Sequence, residues 1–477
     1  MKIYENLKIS ICLLLCFFMA AGSNLTADSE QAFIPSGETL SSEQDGTYSE
    51  DNFSIPDTGT PPENASASDT SDSSDTSHST DTDVNSQQTS ASEEKTPSSS
   101  SPSQQSGAAG GSSSAKPEAA PSKPSQVKPA EKAEMRAVWI SFLEYRSILK
   151  NKSESQFRSS VKKYFDNCVS LGLNTVIVHA RSHGDAFYKS GYFPASVDFT
   201  GKRQDSFPFD PLEIMVKEAH ARGLKIEAWV NPYRANRLTE QFSENDAVKK
   251  WLGTDKVFAH GEYYYFNPGE PEVRRLVLNG IIELVENYDI DGIHFDDYFY
   301  PTTDSSVDKN TYAKYGAGKT LKKFRTDSVN ELVKTVYSEI KKRKNITFGI
   351  SPQGNIENCL NFNYADVKLW GSTAGYVDYL APQLYWDYGQ GSLPYETALA
   401  NWKKTVTSPS VKLITGHAAY RVAESGTGGW ASGDILKRQV SDARGAANYG
   451  GFIMFRYDHL FSDALETERR NLKSILT

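Results

Sequence analysis

The feature that most constrains this chain is a regular alternation of strand-like and helix-like segments from Met135 onward. The predicted strands are 136–142, 175–180, 225–230, 292–298, 346–351, 379–385, 412–418 and 451–457. Amphipathic patterns predict helices at about 155–170, 210–222, 273–287, 321–343, 396–406, 434–448 and 463–475. A left-handed turn residue before the next strand is predicted at Gly172, Gly223 and Gly450.

Eight strands that alternate with helices, and are apolar on both faces, favour an α/β fold. The parallel sheet is expected to close into a (β/α)8 TIM barrel. An open doubly wound sheet is the alternative, but no GxGxxG motif follows any predicted strand to support a nucleotide site.

Residues 23–134 have a composition that cannot build a comparable core. Ser, Thr, Asp, Pro, Gln and Ala dominate them, with 19 Asp and Glu against 5 Lys and Arg. Too little apolar surface is present there to offset the entropy lost on ordering. We therefore expect a signal peptide over 1–22, a disordered, acidic, low-complexity linker over 23–134, and a barrel domain over 135–477.

The first 22 residues have the features of a secretory signal peptide. Lys2 and Lys8 accompany an apolar stretch of 13 residues at 9–21, and small residues for cleavage follow at Ala20, Gly22 and Ser23. A membrane-spanning helix needs about 20 apolar residues, so no transmembrane segment is expected after cleavage. The expected location is secreted, extracellular or associated with the cell wall.

The distribution of charge argues against nucleic acid as a partner. The formal net charge is −9, and because the acidic excess lies in the linker, the barrel region is nearly neutral and slightly basic. It contains no Lys and Arg cluster of the density that nucleic-acid binding requires. The barrel region is also rich in aromatic residues, which suit stacking on sugars and suit an ordinary core equally well.

Chemistry in such a barrel belongs at the carboxyl ends of its strands. The opposite ends are mostly short capped turns. The polar and aromatic residues predicted at the carboxyl ends are Glu144, Arg181, His183, Asp185, Trp229, Asn231, Tyr233, Arg234, His294, Asp296, Asp297, Tyr298, Ser351, Gln353, Glu357, Gln383, Tyr385, Trp386, Asp387, His417, Tyr420, Arg421, Arg456 and Asp458.

The adjacent pair Asp296-Asp297, at the end of the fourth predicted strand, is the strongest catalytic candidate. Strand alternation places Ile293 and Phe295 toward the helices. It places His294, Asp296 and Tyr298 toward the barrel axis. A carboxylate there is costly without polar partners or a chemical task. One of two adjacent carboxylates can have a raised pKa or act as a nucleophile. A structural pair bound to loop amides, or a cation site, is the alternative reading, and we favour catalysis.

Six motifs, found in one order, identify a family resemblance. They are EMRAVWI at 134–140, GDAFY at 184–188, AWVNPYR at 228–234, DDY at 296–298, GISP at 349–352 and PQLYW at 382–386. Together they resemble the glycosyl-hydrolase-like family ten over essentially all of 134–477 and none of the linker. The resemblance implies a TIM barrel, a secreted or envelope location, and a hydrolase acting on O-glycosidic bonds. The implied substrate is the glycan of peptidoglycan from which stem peptides have been removed, and no cofactor is expected.

Such hydrolysis requires two carboxylates, about 5–5.5 Å apart for retention of configuration or about 6.5–9.5 Å apart for inversion. Asp296 is the predicted first catalytic carboxylate. Asp387 is a candidate general acid because burial would raise its pKa. Asp297 is predicted to orient a sugar hydroxyl or Arg181. The second carboxylate stays open, and the rivals of Asp387 are Glu357 and Asp185.

The predicted substrate-binding residues form two groups, aromatic and polar. The aromatic platform is Trp229, Tyr233, Tyr298, Tyr385 and Trp386, although barrel packing is the alternative for Trp229 and Tyr385. The polar residues expected to bind hydroxyl or N-acetyl groups of the sugar are Asn231, Arg234 and Gln383. The set is completed by Arg181, Asp185 and His294. The aromatic run Tyr263–Phe266 is expected to cover a core, outside the site.

Two other classes of function stay open at this point. One is a barrel that binds cell-wall glycan without cutting it, which would need only aromatic and amide side chains. The other is a metal-dependent polysaccharide hydrolase or deacetylase. His179 and His183 lack a clear third ligand, and no HxH or HExxH motif occurs, so no metal is expected.

Overall fold

The computed structural model describes residues 134–389, 393–425 and 427–476. The predicted signal peptide, and all of the predicted linker except Glu134, lie outside these residues. Within the described part of the chain, no helix combines the length and apolar character needed to cross a membrane.

Eight parallel strands close into a barrel, which confirms the predicted TIM-barrel fold. In chain order the strands are β1 Met135–Ile140, β2 Thr175–Arg181, β3 Lys225–Val230, β4 Arg234–Arg237, β5 Val257–His260, β6 Tyr263–Phe266, β7 Gly292–Phe295, β8 Thr347–Ile350, β9 Tyr379–Leu380, β10 Lys412–Ala418 and β11 Tyr449–Phe455. The barrel order is β1-β11-β10-β9-β8-β7-β3-β2, and a separate antiparallel sheet has the order β4-β6-β5. The aromatic run Tyr263–Phe266 is strand β6 of this second sheet.

All seven predicted helices are found, and the described residues contain eight shorter α-helices that were not predicted. In chain order, the α-helices are α1 Phe142–Ile148, α2 Glu154–Leu171, α3 Val197–Thr200, α4 Pro211–His220, α5 Ala247–Trp251, α6 Pro271–Asn287, α7 Lys309–Tyr315, α8 Leu321–Arg343, α9 Ile356–Asn361, α10 Val367–Ser372, α11 Tyr395–Thr405, α12 Ala419–Ser425, α13 Ile435–Ala443, α14 Tyr457–Leu460 and α15 Glu466–Lys473. Helix α8 has its predicted bounds because the Thr320 side chain accepts the backbone N–H of Lys323 and caps its first turn.

Two barrel strands, β7 and β9, are shorter than predicted by three residues or more. Strand β9 ends at Leu380 rather than at Tyr385, because Pro382 has no N–H to continue the ladder. Beyond it, only isolated bridges join Gln383 to its neighbours. Strand β7 ends at Phe295, so the residues that follow it turn across the mouth of the barrel.

The core has an outer and an inner layer. The outer layer packs aliphatic and aromatic residues between the strands and the helices. The inner layer fills the barrel with a separate cluster, which consists of Ala137, Trp139, Ile177, Trp229, Tyr379, Ala381, Ile414 and Ile453. The interior is thus partly aromatic, and its indole and phenol groups require hydrogen-bond partners.

One predicted turn glycine is wrong by a single position. Gly172 and Gly223 have the expected left-handed backbone, with φ of 98° and 70°. At the end of the chain, however, Gly451 and not Gly450 has positive φ, at 149°. Strand β11 runs so close to β1 there that a Cβ on Gly451 would stand 2.1 Å from the carbonyl oxygen of Met135.

We predict that Gly451→Ala lowers the free energy of unfolding by about 3 kcal/mol or more, because it combines a strained φ with a backbone clash. Gly223→Ala is the matched control. It also has positive φ, but nothing lies within 4 Å of its added Cβ, so it should cost only about 1 kcal/mol. Urea denaturation of both variants measures the difference, and equal losses would contradict the close approach of β1 and β11.

Candidate active site

Strand β7 carries a pair of aspartates to the mouth of the barrel. Ile293 and Phe295 are buried in the outer layer, as predicted. His294 points into the barrel interior, also as predicted, where it contacts aromatic side chains. Because the strand ends at Phe295, Asp296 and Asp297 follow directly at its carboxyl end. Asp296 is only 3% exposed, whereas Asp297 is half-buried at the mouth.

The carboxylate of Asp296 is held by two donors. The indole Nε1 of Trp229 donates to its Oδ2 at 3.0 Å, and the backbone N–H of Tyr298 donates to its Oδ1 at 3.3 Å. The ring of Trp229 is itself stacked on His179, with ring centroids 3.4 Å apart. Trp229 is buried, so the predicted sugar platform instead packs the barrel and binds the carboxylate.

Asp297 is bound by amides from the neighbouring strand ends. Gln383 Nε2 donates to Asp297 Oδ1 at 3.4 Å and to the carbonyl of Ser351 at 3.3 Å. The side chain of Gln353 also donates to Asp297. The predicted contact of Asp297 with Arg181 is not found. The two glutamines instead hold the outer carboxylate of the pair.

The environment of the pair favours a bound proton. Burial raises the pKa of Asp296 well above its usual value, and the adjacent charge of Asp297 raises it further. Burial also raises the pKa of Asp297. The positive charge of Arg234 opposes both shifts without cancelling them. The pair therefore titrates as one coupled unit that keeps a proton at higher pH than an isolated aspartate does.

His179 packs against the ring of Trp229, and Asn231 directly follows β3. The backbone N–H of Phe142 donates to His179 Nδ1 at 3.1 Å, so the ring proton belongs on Nε2. Burial lowers the pKa of His179 well below its usual value and keeps it neutral. Asn231 donates from Nδ2 to the carbonyl of Ser182 at 2.7 Å, the same carbonyl that accepts from Arg234. Asn231 thus helps to hold the backbone after β2.

The two predicted arginines bind backbone carbonyls. Arg234 donates to the carbonyl of Ser182 from Nε at 3.3 Å and from Nη2 at 3.2 Å. Its guanidinium lies over the ring of Tyr298, 4.0 Å from the centroid. Arg181 lies over Phe193 and donates to the carbonyl of Pro232 at 3.0 Å. Burial lowers the pKa of Arg181 to about 10.

The other candidate carboxylates have structural contacts. Asp387 is buried and accepts the backbone N–H groups of Tyr388 and Gly429, each at 2.6 Å. Asp185 is fully buried beside Arg203, at 3.6 Å. Glu357 is largely exposed on α9 and pairs with a surface lysine. Their contacts are thus with loop amides, a buried arginine and a surface lysine rather than with the aspartate pair.

The remaining predicted residues divide by exposure. Tyr298, Tyr385 and Trp386 are half-buried and so present accessible aromatic surface. Tyr233 is fully buried, which corrects its prediction as a sugar platform. His294 is also fully buried, inside the barrel and below the mouth, so it supports the site rather than binding substrate directly.

Sequence reasoning missed the polar groups beneath the mouth, which are Trp139, Glu227 and Tyr379. Glu227 precedes Trp229 by two residues on β3 and therefore shares its inward side. A glutamate inside an otherwise apolar strand was the available signal. Separately, among residues 134–389, 393–425 and 427–476, no three His, Cys, Asp or Glu side chains are grouped to hold a metal ion.

This geometry defines a class: a TIM-barrel glycoside hydrolase, with coupled carboxyls and accessible aromatic rings at the carboxyl-terminal mouth. The chain matches the family described as Glycosyl hydrolase-like 10 over residues 134–429. It belongs to this family, which confirms the resemblance seen in the sequence motifs.

Two relatives of similar sequence support that membership. Glycosyl hydrolase YngK of Bacillus subtilis (strain 168) is 35% identical over 339 residues, covering 65% of this chain. This chain spans 65% of the length of YngK. Glycosyl hydrolase DigH of Escherichia coli (strain K12) is 31% identical over 383 residues, 72% of this chain and 87% of DigH. The PgaB (BpsB) glycoside hydrolase domain from Bordetella bronchiseptica has a TM-score of 0.49 at 14% identity, over 71% of this chain and 99% of that domain.

We predict that Asp297→Asn stabilises the protein at pH 7. A carboxyl whose folded-state pKa is raised costs stability above its unfolded-state pKa, near 3.8. The gain should be largest near neutral pH and should disappear as the pH falls below 3.8. Denaturant unfolding at several pH values measures it.

Asp304→Asn is the control of opposite sign. Hydrogen bonds from the backbone N–H and hydroxyl of Ser306 lower the pKa of Asp304. Its replacement should therefore reduce stability at pH 7. A loss of stability in Asp297→Asn as well would show that the pair is not electrostatically strained.

Proposed function

We propose that this protein is a secreted or cell-surface glycosidase that cleaves peptidoglycan glycan strands lacking stem peptides. The observation that carries the proposal is the coupled Asp296–Asp297 pair at the catalytic end of a barrel. Family membership supports glycoside hydrolysis. The finer choice of substrate follows the family resemblance in the sequence motifs, and the experiments below test it.

The pair supplies both functions that glycoside hydrolysis needs. One carboxyl, protonated because its pKa is raised, delivers a proton to the glycosidic oxygen as the bond to the anomeric carbon breaks. The other, ionised, stabilises the positive charge that develops on the sugar ring. Trp229 and the two glutamines fix the orientation of these carboxyls. Water then attacks the anomeric carbon, and its proton returns to the pair.

Accessible aromatic rings around the pair provide a surface for the glycan. Tyr298 follows the pair directly, while Tyr385 and Trp386 come from the strand end beyond β9. Gln383 lies between these two regions and contacts Asp297. The flat apolar faces of sugars stack on such rings, and neighbouring amides bind hydroxyl and N-acetyl groups.

The proposed location rests on the segments before the barrel. The predicted signal peptide at 1–22 would export the chain. As a flexible coil, the predicted linker at 23–134 would span roughly 60 Å, and its like charges would extend it further. Such a spacer would allow the barrel to reach glycan strands within or beyond the cell wall.

A barrel that binds glycan without cutting it is the main alternative. Binding alone does not require an electrostatically costly carboxyl pair, since aromatic rings and amides suffice. The strained pair therefore favours catalysis. The two functions differ in what happens to the glycan when Asp296 is replaced, because a binding protein has no turnover to lose.

We predict that the purified protein generates new reducing ends on peptide-stripped peptidoglycan, faster than on intact sacculi. Asp296→Asn should lower turnover by at least about a thousandfold, because one member of the catalytic pair is lost. Mass spectrometry of the soluble fragments identifies the linkage that is cut. A pull-down with the same sacculi should show that the variant still binds.

Three outcomes of this experiment are informative. Cleavage of both substrates at equal rates would contradict the preference for stripped strands. Binding without new reducing ends in the parent protein would favour the glycan-binding alternative. Loss of parent activity on chelation would favour the metal-dependent alternative.

We also predict that Asp387→Asn retains far more activity than Asp297→Asn. Asp387 binds backbone N–H groups of Tyr388 and Gly429, so its loss should disturb a loop and not proton transfer. Turnover should fall by no more than about tenfold, against about a hundredfold or more for Asp297→Asn. The pH dependence of kcat/KM is the second readout. A shifted basic limb in Asp387→Asn would instead restore Asp387 as the general acid.

A further inference from the structure

The barrel interior contains a buried carboxyl that the proposed chemistry does not use. Glu227, on β3, is 2% exposed. Its Oε1 accepts the hydroxyl of Thr347 at 2.6 Å, and its Oε2 accepts the hydroxyl of Tyr379. Burial raises the pKa of Glu227 to about 7. A well-packed apolar side chain would avoid this cost, so the carboxyl requires an explanation.

A chain of hydrogen bonds connects Trp139, His294, Tyr379 and Glu227, and each group donates to the next one toward Glu227. An indole N–H can only donate, so Trp139 Nε1 donates to His294 Nε2 at 3.1 Å. The His294 proton therefore belongs on Nδ1, which donates to the hydroxyl oxygen of Tyr379 at 2.7 Å. Tyr379 then donates to Glu227. Burial lowers the pKa of His294 to about 3, so the ring stays neutral, as this order requires.

Two glycines leave room for this chain of hydrogen bonds. A Cβ on Gly349 would stand 1.9 Å from the ring of Tyr379. A Cβ on Gly292 would stand 2.3 Å from Thr347 Oγ1 and 2.7 Å from the carboxyl of Glu227. The strands β7 and β8 are therefore shaped around the polar groups at these positions.

This chain of hydrogen bonds ends next to Trp229, whose indole binds Asp296. The rings of Trp139 and His294 each lie 6.3 Å, centroid to centroid, from the ring of Trp229. Trp229 in turn donates to Asp296 at 3.0 Å. Fixing the tilt of the first two rings restricts the position of the third, and so restricts the direction of its N–H.

We propose that Glu227 is a positioning residue, which acts through Tyr379, His294 and Trp139 to hold the Trp229 indole on Asp296. Its carboxyl is the final acceptor that fixes the direction of every donor in the chain. The proposal rests on the function assigned to Asp296 above. A purely structural role would make Glu227 matter for stability alone.

The two aspartates whose charges act on Glu227 are paired with other residues. Asp291 and Asp378, which come directly before β7 and β9, raise its pKa. Asp378 is paired with Lys341 at 2.7 Å, and Asp291 contacts His220 at 3.0 Å. Lys341 and His220 thus bind these two aspartates, and the acceptance of two hydroxyls by Glu227 is the interaction to test.

The decisive substitution is Tyr379→Phe, which keeps the ring and removes the link between Glu227 and His294. We expect kcat on the cleaved glycan to fall by at least about tenfold, with KM changed less than about twofold. The indole N–H resonance of Trp229, assigned in the full protein through Trp229→Phe, should shift. Glu227→Leu should act in the same way.

Glu227→Gln should restore function. Its amide oxygen can accept from Tyr379, and its amide N–H can donate to Thr347, whose hydroxyl can donate to the carbonyl of Asp291, at 3.2 Å. We therefore expect kcat and the Trp229 resonance to remain close to those of the parent.

Tyr395→Phe is the matched control. It removes another buried hydroxyl, which donates to the carbonyl of Gln439 at 2.6 Å, away from the aspartate pair. It should cost comparable stability while leaving kcat and the Trp229 resonance unchanged. The proposal is overturned if Tyr379→Phe behaves like this control. If the parent protein cleaves no glycan, the proposed function fails, while the resonance still tests the positioning role.

Discussion

The hydrogen bond from the Trp229 indole to Asp296 joins the interior of the barrel to its mouth. On the mouth side it gives a buried carboxylate one of its two donors. On the interior side it ties that carboxylate to rings that are packed against one another and against His179. Since an indole N–H has one direction and no acceptor capacity, the geometry of Asp296 is set by how the barrel packs.

Burial and the charge of Arg234 act on the aspartate pair in opposite directions. A nearby positive charge lowers a carboxyl pKa, whereas burial raises it and keeps the proton that acid catalysis needs. Arg234 donates to the carbonyl of Ser182 and lies over Tyr298. Its charge still moderates both carboxyls, but the net direction of the pKa shift stays upward. The site therefore combines a nearby cation with carboxyls that can remain protonated.

The fold and the first catalytic candidate could be predicted because both depend on local pattern. Alternating strands and helices indicate the barrel, and period-two alternation correctly points His294 inward and Phe295 outward. The lengths of β7 and β9 were overestimated. Pro382 was the signal for β9, since it cannot donate to a neighbouring strand.

The contacts of Asp387 and Glu227 could not be predicted from local pattern. Gly429, which binds Asp387, is 42 residues away along the chain. The partners of Glu227 are 120 and 152 residues away, on β8 and β9. Sequence proximity to aromatic residues suggested that Asp387 is a general acid, whereas the folded protein supplies it with two backbone donors. Contacts of this range are fixed only when strand order is known.

A TIM barrel can be filled entirely by aliphatic side chains, which need no hydrogen bonds. This barrel contains indole, imidazole, phenol and carboxyl groups. Each needs a hydrogen-bond partner inside a closely packed interior. Gly292 and Gly349 provide that space because neither has a Cβ. The network therefore constrains the residue type at two backbone positions, in addition to the free-energy cost of burying a carboxyl. A chain under selection for stability alone would lose such a network readily, because an apolar replacement removes every desolvation penalty together. The presence of the complete network directly beneath Asp296 is therefore better explained by the orientation it imposes than by the stability it adds.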